Sequence, residues 1–88
     1  MLRALEDVAR RVGLEVRVEE PWRGGPSAGG MCLLRGRRVV LLDALAPLPE
    51  RVEVLCEALS ELDLDTVFLP PALRARILRR SAARSGAR

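Results

Sequence analysis

Val39-Val40-Leu41-Leu42 is the feature that most limits what this chain can fold into. No polar side chain alternates with these residues, so a strand built from them has two faces to bury. Such a strand takes the centre of its sheet. One face then lies under helices, and the other needs a loop, another helix or a second subunit. A chain of 88 residues can supply one modest core of this kind, but not two.

The flanking segments supply partners for that strand. Leu2, Leu5, Val8, Ala9 and Val12 recur at helical spacing, and Gly13 offers a stop, which predicts a helix over about residues 2–12. Leu14-Glu15-Val16-Arg17-Val18 alternates and predicts a half-buried strand with Leu14, Val16 and Val18 inward. In Glu20 to Gly30, Pro and Gly fill six of eleven positions, the composition of a loop. Met31 to Arg35 and Arg38 to Asp43 then form a hairpin around Gly36-Arg37, for which a type II′ or a type I′ turn is open.

Pro47-Leu48-Pro49 ends the connection, with Pro49 suited to the first turn of a helix. Val52, Leu55, Cys56, Leu59 and Leu62 make an apolar stripe, opposed by Glu50, Glu53, Glu57 and Glu61. Val67-Phe68-Leu69 reads as a short extended segment before Pro70-Pro71. A last helix from about Pro71 to Arg80 packs Leu73, Ile77 and Leu78. The expected fold is α+β, a three-stranded, mainly antiparallel sheet with helices packed on one face, in the order α-β-β-β-α-(β)-α. Residues 1–80 form the domain, and residues 81–88 are expected to be a flexible basic tail.

Several functions are excluded early. The longest apolar runs, Val39–Leu42 and Val67–Leu69, fall far short of the ~20 residues that span a bilayer. Met1-Leu2-Arg3-Ala4-Leu5-Glu6-Asp7 is amphipathic and acid-containing, without a secretory apolar core, so a cytoplasmic location without membrane partners is expected. Cys32 and Cys56 are too few for a disulfide scaffold, and both read as small buried hydrophobes. All fifteen cations are Arg, while Lys, His, Asn, Gln and Tyr are absent. That pattern reflects GC-rich coding, so the net charge of +3 is weak evidence for nucleic acid.

A helix, a strand, a Gly-rich loop, a hairpin ending in Val39-Val40-Leu41-Leu42-Asp43, then a Pro-initiated helix resembles the core of the ImmA/IrrE-type minimal zincin peptidases. The resemblance covers roughly residues 1–62 and rests on order and spacing. It implies that Arg51 to Ser60 stands where that family carries its His-Glu-x-x-His helix. Cys56 and Ser60 would occupy the two histidine positions, and Glu57 that of the general base.

The substitution removes the chemistry, because two imidazoles at i and i+4 are what hold zinc and leave a position open for water. A four-ligand site would need Cys32 and Cys56 with two carboxylates from Glu57, Asp43, Asp63 or Asp65. Cys56, Ser27 and Ser60 have no imidazole base to activate them. The Gly24–Gly30 loop precedes a strand and lacks a Gly-Lys-Ser/Thr ending, so it is no phosphate cradle. The expectation is a degenerate scaffold without catalytic residues, metal or cofactor.

Two binding surfaces remain. A protein partner, including a second copy forming a homodimer, can meet Trp22 and the acidic stripe Glu50, Glu53, Glu57 and Glu61. Trp22 can equally fold down over the open face of the sheet. The alternative is nucleic-acid binding through Arg76, Arg79, Arg80 and Arg84 on the last helix. No aromatic residue interleaves with those arginines, and no helix-turn-helix spacing accompanies them.

Overall fold

The computed structural model describes the backbone of residues 1–86 and the side chains of residues 1–80. The element order is α1 (Leu2–Arg11), β1 (Glu15–Glu19), β2 (Gly29–Leu34), β3 (Arg37–Asp43), α2 (Leu48–Ser60) and α3 (Pro71–Gly86). This is an α+β fold with a three-stranded sheet in the order β1-β3-β2. The doubly apolar strand is the central one, as its composition demands.

The sheet is mixed rather than mainly antiparallel. β2 runs antiparallel to β3, but β1 runs parallel to it. The chain leaves β1 and re-enters β2 at the same end of the sheet, where the Ala44 N–H donates to Glu19 O and the Asp43 N–H to Ala28 O. β2 then runs back, and the hairpin brings β3 up between its two neighbours. Alternation alone cannot reveal that insertion, because it fixes which side chains share a face and not which strands are adjacent.

Local chemistry explains the boundaries. α1 ends in a Schellman motif: the Leu14 N–H reaches Ala9 O at 2.8 Å, and the N–H of Gly13 (φ 80°) reaches Arg10 O at 3.2 Å. Leu14, just past the cap, is thereby folded back into the core. α2 starts from Pro47 with Pro49 in its first turn. The hairpin turn is one residue earlier than expected. Leu34 pairs with Arg37, so Arg35 and Gly36 are its central residues, with φ of 52° and 79°. Two positive values fit the type I′ geometry that matches strand twist.

α1, α2 and α3 contribute to one core on one face of the sheet, built from Leu5, Val8, Leu14, Val40, Leu42, Val52, Leu55, Cys56, Leu59, Leu69, Leu73 and Ile77 among others. Some expected core positions differ. Val18 is 51% exposed, because β1 is an edge strand whose far end lies beyond the helical cover. Leu78 is 58% exposed, since Leu73 and Ile77 already fill the α3 contact with α2. Residues 67–69 form no strand; Val67 and Leu69 turn inward while Phe68 stays exposed. α3 is helical through Gly86, beyond the expected end at Arg80, so the backbone of residues 81–86 is helical where a tail was expected.

Candidate functional site

The Cys56–Ser60 segment lies in the middle and last turns of α2. The Cys56 thiol is fully buried beside the Arg76 guanidinium of α3. Burial pushes the thiol upward, and the positive charge of Arg76 only partly opposes it. The side that would open toward a metal is therefore packed beneath a neighbouring helix. The Ser60 hydroxyl donates to the Glu57 carbonyl within its own helix at 2.6 Å. Cys32, in contrast to expectation, is exposed. Its strand is a sheet edge, and its register opposite Val39 turns it to the helix-free face. The sheet thus separates the two cysteines. Among the described residues no group of three His, Cys, Asp or Glu side chains is placed to hold a metal ion.

The acidic and basic stripes meet within one chain. Arg76 Nη2 donates to Glu53 Oε1 at 2.8 Å, and Arg80 Nη2 donates to Glu57 Oε2 at 3.1 Å. Arg80 also lies 3.5 Å from the second Glu53 oxygen. Two of the four glutamates are thus engaged by two of the four arginines. Glu50, Glu61 and Arg79 remain exposed, and the side chain of Arg84 lies outside the described residues.

Trp22 is half-buried in the loop between β1 and β2. Its indole N–H donates to the Gly25 carbonyl at 3.2 Å. The ring lies so close over Gly24 that a Cβ there would sit 2.1 Å from it, so a larger residue at this position would displace the indole. Trp22 shares a concavity of about 380 Å³ with Leu41, Glu19, Glu20, Pro21, Arg23 and Gly24. It therefore stands over one end of the helix-free sheet face. On the same face Val39 is buried, and it lines a second concavity with Glu15, Arg17, Leu34 and Arg37.

Sequence reasoning missed the β2 edge. β1 and β2 both flank β3 and both have one side without a neighbouring strand. β1 carries Glu15, Arg17 and Glu19, charges that discourage pairing with another chain. β2, Gly29-Gly30-Met31-Cys32-Leu33-Leu34, carries neither charge nor proline. Leu33 is 70% exposed and Leu34 43%. The signal was available: once β3 is central, its hairpin partner must be an edge, and this edge lacks the usual protection.

Comparison of the chain with protein-family models, with curated proteins and with solved structures finds no match. Among the described residues no helix is long and apolar enough to cross a membrane.

Proposed function

We propose that the protein is a non-catalytic, cytoplasmic interaction module on a degenerate zincin-like scaffold. The observation that carries this reading is the uncharged edge strand β2, with Leu34 exposed toward the helix-free face and Leu33 exposed on the helix side of the same edge. Exposed strand edges recruit other backbones by hydrogen bonding, and exposed apolar residues add contact area. The burial of Cys56 under α3 supports the non-catalytic part, because a zinc peptidase needs an open coordination position at that turn of the helix. Nucleic-acid binding along Arg76, Arg79, Arg80 and Arg84 has less support. Phosphates would have to displace Glu53 and Glu57 from two of the four arginines.

The test is retention of a protein from the cells that make this chain on immobilised wild type. Retention is expected to fall with Leu34→Lys and with Trp22→Ala, and to survive Leu45→Lys, an exposed position in the loop after β3. Retention indifferent to both of the first two changes would sink the assignment to this surface.

A further inference from the structure

We infer that the occupant of the β2 edge is a second copy of this chain, paired antiparallel across a two-fold axis through Cys32. The inference rests on the reading of the chain as an interaction module and names its partner.

Pairing geometry narrows the arrangement to a few registers. A two-fold axis normal to the sheet pairs β2 with its copy antiparallel and keeps the helices of both copies on one side. Paired side chains must then share a face, so only registers joining residues of equal parity are allowed. Among these, the one centred on Cys32 sets Cys32 opposite the partner's Cys32, Leu33 opposite the partner's Met31 and Leu34 opposite the partner's Gly30. Met31 is only half-buried in the single chain, and Leu33 is more exposed than Leu34, so their contact covers both. A Cβ built at Gly30 meets nothing within 4 Å, which leaves room for the partner's Leu34. The register centred on Met31 sets Leu33 against Gly29 and leaves this apolar pairing unmade.

Charge favours the same arrangement. Asp43, Glu19 and Glu20 cluster at the end of the sheet where β2 begins, with Arg23 near them in the loop. Arg35, Arg37 and Arg38 cluster at the hairpin end. Antiparallel pairing brings the basic tip of each copy to the acidic end of the other. Arg35 then lies opposite the partner's Gly29, two strand spacings from the partner's Leu42, and the partner's Asp43 is the next residue along that strand, about 10 Å between Cα atoms and within reach of an arginine side chain. A parallel arrangement would set the two basic tips side by side. Pairing at β2 leaves only the charged β1 strands as edges, so assembly closes at two copies and does not continue as a fibre.

Sedimentation equilibrium of the intact chain over a range of concentrations, combined with diamide oxidation, tests the proposal. The expected result is a reversible dimer. Leu33→Lys should raise its dissociation constant by at least about tenfold, because the change enters the interface twice. Oxidation should yield a covalent dimer through Cys32, two thiols losing two electrons and two protons to diamide, and Cys32→Ser should abolish it. Arg35→Asp should weaken the dimer, and adding Asp43→Asn, which keeps the side-chain acceptor for the Leu45 N–H, should recover part of the loss. Leu33 is exposed in the single chain, so its variant should keep the wild-type circular dichroism spectrum. A strict monomer at every concentration would overturn the second-copy assignment, while the module reading would still be decided by the retention experiment. A dimer that ignores Leu33→Lys, or that diamide does not trap at Cys32, would place the interface elsewhere and overturn the β2 assignment.

Discussion

At the scale of single residues, the chain's unusual composition makes one titration readable. It has no His, Lys or Tyr, the side-chain types besides Cys whose ordinary values lie between about pH 6 and 11. Burial pushes the Cys56 thiol up in the folded protein. The unfolded chain releases that proton near pH 8.5, while the folded protein still holds it. The stability contributed by the neutral buried thiol is therefore complete below the unfolded value and is lost as pH rises toward the folded one. The thermal midpoint should be level from about pH 7 to 8 and decline above about 9, and Cys56→Ala should flatten that decline relative to its own midpoint at neutral pH. A wild-type profile level to pH 11 would contradict the burial. The hairpin turn offers a second residue-scale test. Arg35 sits at φ 52°, a region that favours Asn and Gly. Arg35→Asn makes an Asn-Gly type I′ turn and should raise stability by roughly 0.5–1 kcal/mol in urea denaturation.

At the scale of elements, apolar periodicity was a good guide to α1 and α2 and a poorer one to α3. The stripe from Val52 to Leu62 is seated against the sheet and the other helices, as its spacing predicts. On α3, Leu73, Ile77 and Leu78 look alike in sequence. The structure separates them because a helix packed on one neighbour buries a narrow stripe, and its next apolar residue falls outside. Leu55→Ala should therefore cost about 2–5 kcal/mol, the range for a fully buried leucine truncated in a close-packed core. Leu78→Ala should fall within about 0.5 kcal/mol of wild type, as substitutions on exposed surfaces do. Urea midpoints measure both. Equal losses would mean that Leu78 is covered in solution. The pairing of Glu53 and Glu57 with Arg76 and Arg80 was legible only as two separate stripes, because sequence does not say which helix faces meet.

At the scale of the whole molecule, the run Val39–Leu42 announced its own central position, and that much of the architecture could be read directly. The parallel pairing of β1 and the edge character of β2 could not, because both depend on which strand the hairpin inserts beside. The candidate surface was hidden for the same reason: an unprotected edge is a property of neighbours, not of composition. Central placement has a dynamic consequence. β3 exchanges hydrogen bonds with strands on both sides, and Val40 and Leu42 share one core with Leu5 of α1, Leu55 and Leu59 of α2, and Leu73 and Ile77 of α3. Because the described helices and β3 share this one core, freeing the β3 amides requires taking the whole domain apart. Native-state hydrogen exchange should therefore find the slowest amides in Val39–Leu42, with an opening free energy equal to that from urea denaturation. Amides of the loop spanning residues 20–28 should exchange many-fold faster. If β3 opened well below the global value while α2 stayed protected, sheet and helices would be separate cooperative units, and the single core would not describe the protein in solution.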